Sequence, residues 1–272
     1  MKVGLDKAIS YVRSCGDLIE NSRLDCILWG KPPGKSVLQK LEGMQNPDGG
    51  FSYWLKETKI STVLDTIYIL HWFDDLSIKQ GPLVDGAIDF IFNHHNEDGS
   101  WDEVEDVVNF DAPPFQLPGK IENRVWLSAN CAHWLMLFGH AESPKCRGCP
   151  VDFLLDSREP DGRLTGYLRA TWDCLPVFAR YPEDDREPFQ KALAATEREF
   201  APQDWEGSYL VWLIRCLRDA RMESGHDLVR RSLSELVQKQ RPDGSWNSED
   251  GEEYSANATV EALRVLKDYK VI

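Results

Sequence analysis

Three aspartates stand at the front of apolar stretches in this chain: Asp25 in Arg-Leu-Asp-Cys, Asp65 in Val-Leu-Asp-Thr and Asp173 in Thr-Trp-Asp-Cys. Burial penalises the charged form of a carboxyl, so an aspartic acid in such surroundings keeps its proton near neutral pH and can serve as a general acid. A structural role competes with that chemistry. Ser22 precedes Asp25 by three residues and Thr62 precedes Asp65 by three, the spacing of a capping box with Asp in place of Glu or Gln. A first-turn carboxylate is also favoured by the helix dipole, which lowers its pKa. Asp173 has Ala170 at the cap spacing and Trp172 beside it as an apolar wall. It ranks first as a general acid, ahead of Asp65 and Asp25.

Four cations, Arg23, Lys59, Arg124 and Arg169, also stand just before apolar stretches. Gathered at helix N-termini they would suit a diphosphate; as solvated loop charges they would balance acids such as Glu57 and Glu122. The large side chains on or beside the same stretches are Trp54, Tyr68, Trp126, Trp134, Trp172, Tyr209, Trp212 and Tyr254. His71 and His133 lie within these stretches, and Asn257 lies in the last of them. No metal site is expected. Cys146-Arg-Gly-Cys149 has a zinc-like spacing without a second pair, His140 being the nearest candidate. Asp102, Glu103, Glu105 and Asp106 could hold Mg²⁺, but nothing in the sequence fixes their geometry.

Positioning these groups falls to a repeat. A phrase recurs as GMQNPDGGFSYW at 43–54, NHHNEDGSWDE at 93–103, DSREPDGRLTGY at 156–167 and QKQRPDGSWNSED at 238–250, with a weaker copy, APQDWEGSY, at 201–209. Before each phrase the apolar residues fall on one side of a helix, as Leu228, Leu233, Leu236 and Val237 do before the last. After each phrase the stretch is apolar nearly all round, as in RVWLSANCAHWLMLF. One-sided helices belong outside and all-round apolar helices inside. The Asp-Gly turn supplies the positive φ that reverses the chain, and the next aromatic, Trp101 or Trp246, belongs to the scaffold. The N-terminal AISYVRSC and RLDCILWG read as one more pair. Six pairs in 272 residues allow about 45 residues each, enough for two helices and two loops. Such units must stack to bury their faces. The expected class is all-α, an α/α toroid of six helical hairpins with inner and outer helix rings, forming a single domain over 1–272. The stretch near 102–123, acidic and then rich in Pro, breaks the spacing of the turns. It is expected as a rim loop, a lid over the cavity mouth.

Composition narrows the partners. Forty-two per cent hydrophobic residues, with ten Trp, eight Tyr and eleven Phe, exclude disorder. A net charge of −14 argues against nucleic acid or an anionic membrane surface. No apolar run approaches the length of a transmembrane segment, and the start lacks the pattern of a signal peptide. Seven cysteines, most of them in apolar stretches, fit a reduced protein in the cytoplasm.

The phrases Gln45-Asn-Pro-Asp48-Gly49-Gly50-Phe51 and Gln240-Arg-Pro-Asp243-Gly244-Ser-Trp246 resemble the Gln-Trp motif of the prenyltransferase and squalene–hopene cyclase repeat family, which includes the class II terpene cyclases. The resemblance covers nearly the whole chain. It implies a ring of helices around an apolar cavity for an isoprenoid chain, and a carboxylic acid that protonates an alkene or epoxide. The family's motif is Asp-x-Asp-Asp followed by Thr. Here Asp65-Thr66 match its end, Leu64 stands at the middle, proton-supplying position, and Thr62 stands first. An acid in this chain must then be one of the three lone aspartates. The resemblance makes Trp54, Tyr68, Trp126, His133, Trp172, Tyr209, Trp212, Tyr254 and Asn257 candidate substrate contacts, the ring faces steadying a carbocation. His71 or His133 could accept the final proton. Arg23, Lys59, Arg124 and Arg169 would hold a prenyl diphosphate. The zinc set of protein prenyltransferases is not matched: Asp and Cys are adjacent at 25–26 and 173–174, and Asn257 stands where a His is needed.

The expected function is therefore a terpene cyclase-like enzyme, an isomerase or lyase acting on a linear isoprenoid, as a prenyl diphosphate or a prenylated aromatic. It needs no cofactor unless the substrate is a diphosphate, when Mg²⁺ enters. Two alternatives stay open. One is a non-catalytic isoprenoid-binding ring, analogous to a prenyltransferase β subunit with a protein partner. The other is metal-assisted loss of diphosphate from an isoprenoid.

Overall fold

The computed structural model describes residues 2–55, 60–141, 149–180 and 185–272. Among them the chain forms twelve α-helices, which alternate in character along the sequence. They are α1 (Leu5–Cys15), α2 (Leu18–Trp29), α3 (Lys35–Met44), α4 (Val63–Asp75), α5 (Pro82–Asn93), α6 (Ile121–Leu137), α7 (Pro150–Asp156), α8 (Leu168–Phe178), α9 (Glu187–Arg198), α10 (Gly207–Asp219), α11 (Asp227–Gln238) and α12 (Ser255–Asp268). Odd-numbered helices bury one side. α11, for instance, covers Leu228, Val229, Ser232, Leu233 and Leu236. Several even-numbered helices are buried almost all round: α6 without a break from Val125 to Met136, and α8 from Ala170 to Phe178. This is the difference the apolar patterning predicts.

The recurring phrase forms the same device four times. In the first copy the Asp48 carboxylate accepts the Gly50 N–H at 3.0 Å, and the Phe51 N–H is donated to Thr66 Oγ1 of α4 at 2.9 Å. In the second, Asp98 accepts from Ser100, also at 3.0 Å, and Trp101 donates to Ser128 of α6 at 2.8 Å. Leu164 repeats the bond to Thr171 of α8, and Trp246 to Thr259 of α12. The indoles of Trp101 and Trp246 are fully buried, and their N–H groups are donated to the carbonyls of Ile91 and Leu236 at 2.8 and 2.6 Å. Each phrase thus ties the end of one helix to the first turns of the next. Gly49 has φ 90°, and a Cβ there would lie 2.3 Å from the Gly86 carbonyl oxygen of α5. Only glycine satisfies both demands.

Two short antiparallel strands, β1 (Phe51–Ser52) and β2 (Ser61–Thr62), pair Phe51 with Thr62 directly before α4. The chain divides into two compact units. The first comprises Met1–Leu38, Asp75–Ser77 and Glu199–Ile272, and the second comprises Gln39–Asp74 and Ile78–Arg198. In the first unit the two chain ends meet. Gly4 donates its N–H to Gln240 Oε1 at 2.8 Å, and Gln240 Nε2 reaches the Gly244 carbonyl at 2.9 Å.

Two boundaries differ from the sequence reading. Helix α2 begins at Leu18, earlier than expected, because Asp17 and Glu20 complete a capping box there. Asp17 accepts the N–H groups of Ile19 and Glu20 at 2.7 and 2.9 Å, and Glu20 accepts that of Asp17 at 2.7 Å. Ser22 and Asp25 therefore lie inside the helix and cap nothing. The segment 102–123 is also more ordered than an irregular loop. It winds through two 3-10 turns, Glu105–Phe110 and Pro114–Gln116. Asp102 holds it through the Gly119 N–H at 2.9 Å, and Asn123 through the carbonyls of Pro114 and Leu117 at 2.8 and 2.7 Å.

Candidate active site

The second unit brings two carboxyl groups to the N-terminus of α4. Asp65 lies in that helix's first turn, where Thr62 Oγ1 donates to its Oδ2 at 2.5 Å and accepts its N–H at 3.1 Å. Gln116 Nε2 donates to the same carboxylate oxygen at 3.3 Å, and the backbone N–H of Trp54 donates to Asp65 as well. Trp54 adopts φ 52°, a left-handed conformation that costs a non-glycine residue of order 1 kcal/mol. These donors favour the anion, yet burial outweighs them and pushes the Asp65 pKa up to about 6.

Glu103 supplies the second carboxyl. Its Oε1 accepts the N–H of Val63 at 2.7 Å and of Val104 at 2.9 Å, and its Oε2 accepts that of Leu64 at 3.1 Å. The side chain thus occupies the positive end of the α4 dipole and satisfies two of its free N–H groups. Burial nevertheless drives its pKa up to about 7, with the Asp65 charge adding to the rise. Glu103 also lines a small pocket, with room for about one water molecule, together with Leu64, Asp102, Phe115, Gln116, Asn123, Trp126 and Leu127. Phe115 and Tyr167 meet the Trp126 ring edge-on, and the Tyr167 hydroxyl donates to Asn123 at 3.1 Å.

Asp173 occupies a different place. It lies in mid-α8, 1% exposed, with its Oδ1 3.5 Å from His133 Nδ1 of α6. Nearby on α4 and α6, His71 stacks on Trp134 with ring centres 3.9 Å apart, and Tyr68 packs against His71. Trp172 is fully buried. Asp25, in the first unit, is mid-helix and paired with Arg13 and Lys31. The three aspartates therefore do not share a common first-turn position; only Asp65 has it.

The expected ring of cations is distributed otherwise. Arg23 lies inside α2 and is fully buried, its guanidinium bonded to Asp75 at 2.8 and 3.1 Å and donating to Asn257. Asn257 is thereby engaged with a neighbouring side chain. Arg124 binds the turn at Asp98 and Ser100, at 2.6 Å to each, so it serves the repeat device. Arg169 is half-buried in the first turn of α8. Lys59 and Cys146 fall outside the described residues, while Cys149 is an exposed free thiol before α7. In the first unit Tyr209, Trp212 and Tyr254 are half-buried, Tyr209 standing 5.2 Å edge-on from Trp205. Of the four acids considered for Mg²⁺ from the sequence, Asp102 accepts the N–H groups of Glu103 and Gly119, and Glu103 those of Val63 and Leu64.

Sequence reasoning missed Glu103 and Gln116 as partners of Asp65. A signal for Glu103 was present. The position two residues after the phrase's plug residue is Tyr53, Gly166 and Ser248 in the other copies, and only the second copy carries an acid there.

No family model matches the chain, and no curated protein matches it. Solved structures do. Type II terpene cyclase MstE from Scytonema matches with a TM-score of 0.65 and 15% identity, over 98% of each chain. A variant of that cyclase in complex with geranylgeranyl dihydroxybenzoate, its substrate, matches with a TM-score of 0.63 and 12% identity, over 98% of this chain and 97% of that one. A protein from Actinoplanes matches with a TM-score of 0.62 and 19% identity, over 93% and 90%. The fold is thus all-α, the α/α-toroid fold of the type II terpene cyclases. No helix among the described residues is long and apolar enough to cross a membrane.

Proposed function

We propose that this chain is a class II-type terpene cyclase that binds a linear isoprenoid and starts its cyclisation by protonation from Asp65. The observation that carries this reading is the carboxyl in the first turn of α4, raised to about 6 while held by Thr62 and Gln116. It stands on a chain that shares the fold of a type II terpene cyclase nearly end to end. Asp65 replaces Asp173 as first choice because its partners include a hydroxyl and an amide, both of which can turn to accept from a protonated acid. Transfer of the Asp65 proton to a terminal alkene leaves a carbocation, and attack by internal alkenes closes rings. Loss of a proton from the last cation restores neutrality, so substrate and product are isomers. The His133 imidazole, steadied by Asp173 at 3.5 Å, is the proposed acceptor, and Trp126 and Phe115 the proposed ring faces toward the cation. No cofactor is required by this step, and a protein partner has no role in it.

For the substrate class, a geranylgeranyl chain on an aromatic acid, as bound by that MstE variant, fits the reading better than a diphosphate, because Arg23 and Arg124 are already committed to ion pairs. The test is incubation of purified protein with geranylgeranyl dihydroxybenzoate and, separately, with geranyl, farnesyl and geranylgeranyl diphosphates. The expected result is a cyclic product of unchanged mass that disappears in Asp65→Asn. Stoichiometric binding without turnover would overturn the reading in favour of a carrier. Release of diphosphate dependent on Mg²⁺ would overturn it in favour of ionisation chemistry.

A further inference from the structure

The segment 102–123 lies as a strap before α6 and reaches the acid through Gln116, whose Nε2 donates to Asp65 Oδ2 at 3.3 Å. Gln116 ends the 3-10 turn Pro114–Gln116 and is 4% exposed, although Pro114 and Gly119 on either side stand in solvent. One side chain ties that turn down. Asn123, near the start of α6, donates both N–H bonds of its Nδ2 to the carbonyls of Pro114 and Leu117, which bracket Phe115 and Gln116. The Tyr167 hydroxyl donates to Asn123 Oδ1 at 3.1 Å. Both donors and the carbonyl of this buried amide are thus engaged, and only one orientation of it satisfies all three partners. We propose that Asn123 is a positioning residue: it latches the turn of the strap and thereby sets Gln116 on Asp65. This rests on the reading of Asp65 as the acid.

The strap depends on such a latch because its own bonds are local. The Val107 N–H is donated to the Val104 carbonyl at 3.2 Å, and that of Gln116 to the Pro113 carbonyl at 2.9 Å. Two single 3-10 turns of this kind do not fix their own orientation. Asp102 closes the far end through the Gly119 N–H and leaves the turn itself to Asn123. Phe115 meets the Trp126 ring edge-on at 5.8 Å, and Trp126 lies one turn beyond Asn123 on the same face of α6. The latched turn therefore offers Phe115 to α6 and Gln116 to α4. Without the latch, water can serve the exposed turn's carbonyls, so the strap loosens while the helices stay folded.

The consequence falls on the geometry of the acid. Thr62 holds Asp65 from its own helix, and the Trp54 N–H adds a contact from the strand side. Gln116 is the partner that comes from the strap, and its amide can donate to the carboxylate or, turned over, accept from the acid. Proton transfer to carbon needs the carboxyl held in one direction, and a third fixed partner restricts its rotation.

The test reads the Gln116 side chain directly. The whole chain is labelled with nitrogen-15 at Gln, Asn and Trp, and the side-chain signals are followed by NMR as pH crosses the Asp65 value of about 6. The expected result is that the Gln116 amide signal of the native chain moves with that titration and that the movement is lost in Asp65→Asn. In Asn123→Leu, which keeps the volume and removes the donors, the movement is expected to be lost as well. The buried indole N–H signals of Trp101 and Trp246 report whether the variant is folded. A Gln116 signal that titrates equally in the native chain and in Asn123→Leu overturns the proposal, as does one that ignores pH in the native chain. Should Asn123→Leu fail to fold, hydrogen exchange of the native chain decides. The Asn123 and Gln116 side-chain amides are then expected to share one protection, since one opening frees both, and unequal protection overturns the proposal. Turnover of geranylgeranyl dihydroxybenzoate is measured on the same samples, and Asn123→Leu is expected to lower kcat about tenfold with KM little changed. Loss of the Gln116 movement in Asn123→Leu, without turnover by the native chain, keeps the latch and removes the cyclase reading. Native-level turnover by Asn123→Leu overturns the positioning role and keeps that reading.

Discussion

Glu103 Oε2 accepts the backbone N–H of Leu64 at 3.1 Å, so a carboxylate stands over a residue that has no acid of its own. Leu64 and Glu103, from two copies of the repeat, meet at the N-terminus of α4. The site is assembled from the entrance of α4 and the segment that follows the second turn, and its properties belong to both.

Activity should follow the protonated fraction of this site. A general acid works only while it carries its proton, so kcat/KM for the proposed cyclisation is expected to fall as pH rises between about 6 and 7. Asp65→Asn should lower turnover at least about a hundredfold at every pH, the lower end of the range for a lost acid. A rate that rises through that window would point to a base instead.

Stability should carry the same signature. Asp65 is raised in the folded protein from 3.8 to about 6, so between those values the native state holds the proton more tightly than the unfolded chain. Folding stability from this group is therefore full below about pH 4 and declines until about pH 6. Asp65→Asn removes that decline. Denaturant melts at pH 4.5 and 7.5 should show the variant gaining on the native protein at the higher pH, by on the order of 1–2 kcal/mol. A constant difference at the two pH values would show that Asp65 does not titrate in this range.

The hydroxyls beneath the turn phrases should behave alike. Thr66→Val and Thr259→Val each leave a buried N–H, of Phe51 and of Trp246, without its acceptor. Each is expected to cost about 1–3 kcal/mol in thermal or denaturant unfolding, the penalty of an unsatisfied buried donor. Gly244→Ala should cost more, since its Cβ would lie 2.4 Å from the Lys7 carbonyl carbon at φ 98°. Thr66→Val and Thr259→Val as stable as the native protein would show that the repeated bonds contribute little.

Arg23 and Asp75 are both fully buried and bonded at 2.8 Å. Removing one partner strands the other charge. Arg23→Met is expected to destabilise the protein by about 3–5 kcal/mol, and adding Asp75→Leu to restore a large part of that loss. A double variant no better than the single one would mean that Arg215 and Arg264, 3.7 and 3.8 Å from Asp75, cannot spare that cluster its charge.

Helix character, the pairing of helices and the four turn phrases were legible in the amino-acid order, because periodic burial and an Asp-Gly turn are local properties. Trp101 and Trp246 could be assigned to the scaffold for the same reason. Asp65 was legible as a first-turn carboxylate through Thr62, three residues before it. The start of α2 was misread because the cap at Asp17 and Glu20 lies before the apolar stretch that drew attention. What tertiary structure alone decided is which charges are spent on each other. Arg23 meets Asp75 across fifty-two residues of chain, and Glu103 meets Leu64 across thirty-nine. A pKa depends on burial and on neighbours at a few ångströms, and neither distance is written in the spacing of the residues.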